Sequence, residues 1–132
     1  MKYRNILLVD DDTDETELFG MAIHALNLKI NYSVENNALN ALKTLQKLKK
    51  NPDMIFLDYH MPYLDGREFL KLLREVKGLE KTPVVLYSGH SGDLIKEVAA
   101  KFKKVKFMKK QNSLKDLTFS LKSILLPIEI RK

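Results

Sequence analysis

Five short apolar runs, separated by stretches of helical periodicity, limit what this chain can fold into more than any other feature. They are "NILLV" (5–9), "KINYSV" (29–34), "MIFL" (54–57), "PVVLY" (83–87) and "VKFM" (105–108). The first, third and fourth show no polar alternation. A strand with one face in water alternates, whereas a strand covered on both faces does not. Between the runs, apolar residues recur at helical spacing: Leu18, Ile23 and Leu26; then Ala38, Ala41, Leu42, Leu45 and Leu48; then Phe69, Leu72, Leu73 and Val76; then Leu94, Val98 and Phe102; then Leu114, Leu117, Leu121, Ile124 and Leu125. Strand and helix thus alternate five times. That order predicts right-handed crossovers and an α/β fold, a doubly wound five-stranded parallel sheet with helices on both faces.

A chain of 132 residues fits one domain, and residues 1–132 are expected to form a single unit without repeat or linker. Pro127 is expected to stop the last helix, leaving "PIEIRK" as a tail. The chain has no cysteine, so disulfides, thiolate metal sites and a cysteine nucleophile are excluded. The first apolar run is too short for a signal peptide, and no stretch approaches the roughly 20 apolar residues of a membrane span. A cytoplasmic protein with no membrane partner is expected.

Ligands of open α/β sheets bind beyond the carboxyl ends of the strands. The residues just after each run therefore matter most. After the first come Asp10 and Asp11; after the third, Asp58; after the fourth, Ser88 and Gly89; after the fifth, Lys109 and Lys110. The run Asp10–Asp11–Asp12 is costly by itself, since close carboxylates repel by about 1–4 kcal/mol per pair. Asp12 or Thr13 suits a helix N-cap, with Asp14, Glu15 and Glu17 in the first turn. Capping does not account for Asp10 and Asp11, which stand where a buried strand ends.

Gathered at one edge, these residues suit phosphoryl transfer. Carboxylates with water are what Mg²⁺ selects. Asp58 can ligate the metal and also attack phosphorus to give an acyl phosphate. Metal, lysine ammonium and the Ser88 hydroxyl could then each cover one phosphoryl oxygen, with Gly89 leaving a backbone N–H accessible.

"DYHMPYLDG" carries Asp58, Met61, Pro62, Asp65 and Gly66 at every fixed position of a D-x-x-M-P-x-x-D-G loop. With the acidic pair, Ser88–Gly89 and the final lysine, the chain resembles the receiver domain of two-component response regulators over nearly its whole length. The resemblance implies a flavodoxin-like strand order 2-1-3-4-5 and phosphorylation of Asp58. It implies Mg²⁺ held by Asp11, Asp58 and the backbone carbonyl of His60, with Asp10 helping through water. It leaves Asp12 to cap. "FMKKQNSL" aligns with the family's aromatic-x-x-Lys-Pro-x-Ser-Leu if Lys110 is the site lysine, Gln111 replaces proline and Phe107 is the switch aromatic. The alternative, Lys109, would put Lys106 at the aromatic position.

By resemblance again, Asp58, Ser88 and Lys110 do the chemistry, a partner histidine kinase or histidine phosphotransfer protein donates the phosphoryl group, and the chain is a stand-alone receiver without output domain. Its only activity of its own would be self-phosphorylation and slow self-dephosphorylation. His60 and His90 read as exposed loop residues that in the family fall at the positions tuning dephosphorylation; His24 is expected at the surface or half-buried, and Tyr59 and Tyr63 at the rim of the site or in contact with a partner.

Other readings compete. A haloacid-dehalogenase-type phosphatase wants D-x-D-G-T after its first strand; Asp10 and Asp12 match, but Thr13 and Asp14 replace the Gly and Thr. A receiver-like scaffold would never use Asp58. Charge raises a third option. Residues 101–132 hold ten Lys+Arg and two Asp+Glu, a net of +8, whereas residues 1–100 hold thirteen and fifteen, a net of −2. No helix-turn-helix or interleaved aromatic–basic motif accompanies this basic quarter, so DNA is not expected as its partner; an acidic protein face is.

Overall fold

The computed structural model describes residues 3–47, 49–61, 64–89 and 93–126. Five strands, β1 (Asn5–Val9), β2 (Asn31–Glu35), β3 (Met54–Asp58), β4 (Val84–Ser88) and β5 (Val105–Lys109), alternate with α1 (Thr13–Ala25), α2 (Ala38–Lys47), α3 (Gly66–Leu73), α4 (Asp93–Lys101) and α5 (Leu114–Leu125). All pairings are parallel, in the order β2-β1-β3-β4-β5. The expected α/β, doubly wound, flavodoxin-like sheet is therefore observed.

Side chains alternate across a strand, so the central strands feed two apolar layers. Leu7, Val9, Ile55, Leu57, Val84 and Leu86 pack with α2, α3 and α4. Ile6, Leu8, Met54, Phe56, Val85 and Tyr87 pack with α1 and α5. β3 and β4 are buried along their whole length, which is why their sequence lacks polar alternation. β2 is an edge strand with Asn31, Ser33 and Val34 exposed.

Several local details depart from the sequence expectations. β2 starts at Asn31, whose N–H donates to the Arg4 carbonyl at 2.6 Å, while Asn27 (φ 55°) and the Ile30 N–H to Leu28 carbonyl bond turn the preceding residues. On α1 the buried aromatic is Phe19. Its ring stacks on Tyr32 (5.5 Å) and meets Phe56 (5.0 Å) and Tyr87 (5.7 Å) edge-on. On α3 Leu70 is buried and Leu72 exposed, and on α4 Ile95 is buried and Leu94 exposed. Leu48 and the 127–132 tail lie outside the described residues.

The far end of the sheet is tied by Arg74, the C-cap of α3. Its Nη1 donates to the carbonyls of Leu79 (3.0 Å) and Thr82 (2.8 Å), and its Nη2 to that of Lys103 (2.8 Å). One guanidinium thereby joins the α3 end, the approach to β4 and the α4–β5 turn, where Lys104 adopts φ 59°. Among the described residues no helix is long and apolar enough to cross a membrane.

Candidate functional site

The carboxyl ends of β1, β3 and β5 meet at an open crevice of about 310 Å³, lined by Asp11, Asp12, Glu15, Asp58, His60, Gly89 and Lys110. Three backbone bonds extend the sheet by one rung into this region: Asp10 N–H to the Glu35 carbonyl (3.1 Å), Tyr59 N–H to the Tyr87 carbonyl (3.2 Å) and Lys110 N–H to the Ser88 carbonyl (2.7 Å). The residues just past the strands are thus held in register rather than carried on free loops.

The acidic run divides its work. Asp10 is fully buried. Its Oδ1 accepts the Asp12 N–H at 2.9 Å, while its Oδ2 has no hydrogen-bond partner among the described residues. Asp11 is exposed at the crevice wall. Asp12 is the N-cap of α1 and accepts the Glu15 N–H at 3.1 Å.

Asp58 ends β3, is 4% exposed, and accepts the His60 N–H at 3.2 Å. Ser88 ends β4 fully buried, and an added Cβ at Gly89 would meet open space. Lys110 sends its ammonium inward, 3.2 Å from Asp58 Oδ1 and 3.8 Å from Asp10 Oδ2. Lys109 is exposed, so Lys110 is the lysine that reaches the carboxylates. No cis peptide occurs among the described residues, Lys110–Gln111 included.

The tightest carboxylate group is not the one expected. Oxygen atoms of Asp10, Glu15 and Asp58 lie within 4.8 Å of one another, and Asp11 is outside this group. Glu15 Oε1 accepts the shortest bond of Lys110, at 2.6 Å. From sequence alone Glu15 is only a first-turn acid of α1. Nothing local marks it out, because its partner is 95 residues away.

Electrostatics follow from this crowding. Burial raises the Asp10 carboxyl well above the usual range, the Glu15 carboxylate adds to the rise, and the Asp12 N–H and Lys110 charge counteract it. Burial also raises Asp58, opposed by the charge and hydrogen bond of Lys110. For Lys110, burial acts downward, but the Glu15 hydrogen bond and the charges of Asp58 and Asp10 leave it above the ordinary lysine value. With Glu15 engaged by Lys110, the buried Asp10 and Asp58 carboxyl groups and the exposed Asp11 at the crevice wall are a donor set of hard oxygens that fits a divalent cation such as Mg²⁺ or Mn²⁺.

Tyr59 is not a rim residue. It is 7% exposed, packs in the α2–α4 layer and lies edge-on to the His60 ring. It also fills the space beside Gly66, where a Cβ would come within 2.5 Å of its ring. His24 is exposed on α1. Pro62, Tyr63 and His90 lie outside the described residues.

Comparison with known proteins agrees with this architecture. A transcriptional regulatory protein CpxR homolog of Haemophilus influenzae is 34% identical over 89 residues, 67% of this chain and 36% of that protein. The chain therefore spans little more than a third of that relative. Among solved structures, the phosphorylated cyanobacterial phytochrome response regulator RcpA superposes with a TM-score of 0.81 at 21% identity, covering 95% of each chain. The Mn²⁺-bound form of response regulator Rcp1 gives 0.75 at 23% identity, covering 96% of this chain and 97% of its own. At those identities the likeness establishes the fold. Residues 6–122 match the family described as the response regulator receiver domain, and the chain belongs to that family of signalling domains.

Proposed function

We propose that this receiver accepts a phosphoryl group on Asp58 from a phosphohistidine of a partner kinase or phosphotransfer protein, in a reaction that depends on Mg²⁺. The observation that carries the reading is a buried Asp58 carboxylate with a lysine ammonium at 3.2 Å and the buried Asp10 carboxyl group beside it.

In this reading an Asp58 oxygen attacks phosphorus as the phosphorus–nitrogen bond of the donor breaks, giving an acyl phosphate and free histidine. Asp10, Asp11, Asp58 and the His60 carbonyl would hold the metal, which when bound neutralises charge on the transferring oxygens. Lys110 would pair with a second oxygen. The buried Ser88 would donate to a third, drawing Phe107 after it; Phe107 is half-buried against the α2–α4 layer on the neighbouring strand. That displacement would be the signal.

Intact-mass analysis after incubation with acetyl phosphate and Mg²⁺ tests the reading. The wild-type chain should gain one phosphoryl group, and Asp58→Asn or omission of the metal should prevent the gain. Absence of the gain in wild type, or an equal gain in Asp58→Asn, would refute it.

The output partner in this reading is a protein with an acidic face. Lys101, Lys103, Lys104 and Lys106 are all exposed on α4, β5 and the turn between them. Exposed charge mainly sets association rate and specificity. Raising ionic strength from about 0.05 to 0.5 M shortens the screening length from roughly 14 to 4 Å, so association should slow steeply. Lys103→Glu with Lys106→Glu should weaken partner capture and leave phosphorylation intact. A partner that binds irrespective of salt and of this double variant would argue for a merely solvated surface.

A further inference from the structure

Two helices start on the same capping signature, Asp-x-x-Glu counted from the N-cap, Asp12–Glu15 at α1 and Asp65–Glu68 at α3. At α3 it closes on itself: the Glu68 N–H donates to Asp65 Oδ1 at 3.0 Å, and Glu68 Oε1 accepts the Asp65 N–H at 3.3 Å. At α1 only half of this box forms. The Glu15 N–H donates to Asp12 Oδ1, but the Asp12 N–H is taken by Asp10 Oδ1. The Glu15 side chain is left without its local role. It turns instead into the crevice and accepts from Lys110 Nζ at 2.6 Å, a shorter contact than the lysine makes with Asp58.

We propose that Glu15 is a positioning residue that holds Lys110 in the unphosphorylated state and competes with the incoming phosphoryl group for it. The inference rests on the phosphorylation of Asp58 proposed above. Three carboxylates share one ammonium, and Glu15 holds it by the closest contact. Phosphorylation replaces the single negative charge of Asp58 by up to about two on the phosphoryl oxygens, a net gain of about one in this cluster. Lys110 then has to serve the phosphoryl oxygens, and Glu15 loses its partner while facing added negative charge. Glu15 consequently penalises the phosphorylated state and shortens its lifetime. The lost half of the capping box is the cost to α1 of placing the carboxylate there.

Beryllofluoride, a non-covalent stand-in for an aspartate-bound phosphoryl group, gives the test. Its affinity at saturating Mg²⁺, the affinity for Mg²⁺ alone, and the NMR signal of the Lys110 ammonium are measured for wild type, Glu15→Gln and Glu15→Asp. Glu15→Gln should bind beryllofluoride at least about fivefold more tightly, because the competing charge is gone while an amide oxygen of similar shape remains. Glu15→Asp, which keeps the charge but is one methylene shorter, should fall between the two. Mg²⁺ affinity should change less than about threefold, and the Lys110 ammonium should exchange with water faster in Glu15→Gln. A helix-capping role alone would not move the ammonium signal. Unchanged or weaker beryllofluoride binding by Glu15→Gln, with wild type binding normally, would overturn the inference while leaving phosphorylation of Asp58 standing. A tenfold loss of Mg²⁺ affinity would overturn it by making Glu15 a metal ligand. Wild type that binds no beryllofluoride would overturn the phosphorylation reading, and this inference with it.

Discussion

Asp10→Asn should make the metal-free protein more stable than wild type by about 2–5 kcal/mol near neutral pH. Asp10 is fully buried, and its carboxyl is pushed up to about 8, first by burial and then by the Glu15 carboxylate. In the unfolded chain it ionises near 3.8. A group whose folded value is raised in this way favours folding below its unfolded value, and that contribution disappears as pH rises through the folded value. The native state must hold a proton, or tolerate a buried repelling charge, where the unfolded state does neither. Between about pH 4 and 8 the wild type should therefore lose up to roughly 1.4 kcal/mol per pH unit from this group alone. An amide retains the oxygen that accepts the Asp12 N–H, and it can donate toward the neighbouring carboxylates. Urea unfolding in the presence of a chelator, at pH 6 and at pH 8.5, should show a gap between variant and wild type that widens with pH. Mg²⁺ should narrow it, since a cation would reward only the carboxylate. A variant no more stable than wild type at either pH would mean that the buried oxygen is relieved in some other way.

Arg74→Ala should cost about 2–4 kcal/mol, a loss from one side chain remote from the crevice. Three carbonyls lose a charged donor together, and those of Leu79 and Thr82 belong to buried residues. Arg74→Lys should recover less than half of the loss, because a single ammonium cannot span the same acceptors. The measurement is again urea unfolding, and a change below about 0.5 kcal/mol for the alanine variant would show that water replaces the guanidinium. The buried Arg74 Nε, without a hydrogen-bond partner among the described residues, limits the net gain in wild type.

How far the sequence could be read depends on whether a residue's role is local. Buried parallel strands announce themselves because no polar residue can alternate into them, and "MIFL" and "PVVLY" led directly to β3 and β4. The residues that follow strands were legible for the same reason. Which leucine of a helix faces inward was less so. Leu94 and Ile95 are equally apolar, and only the crossing of α4 over the sheet decides between them. Tyr59 was misplaced because a position next to a site aspartate suggests the rim, yet the pleat turns its ring into the core over Gly66. Glu15 was the deepest omission. Two identical Asp-x-x-Glu signatures predict identical caps, and they differ here because Asp10, upstream of α1, takes the N–H that Glu15 would have used.

The rungs at Asp10, Tyr59 and Lys110 have a consequence for cooperativity. Each lies past the end of a strand, yet each amide is spent on the neighbouring strand's carbonyl. A loop can open alone, at little free energy, when its backbone faces water. Opening any of these three costs a ladder hydrogen bond at the end of the β1–β2, β3–β4 or β4–β5 pairing. The backbone under the carboxylates and the lysine is therefore tied to the sheet, as a free loop is not. At Asp10 and Lys110, rearrangement is then a matter of side chains turning about a backbone held by the neighbouring strands.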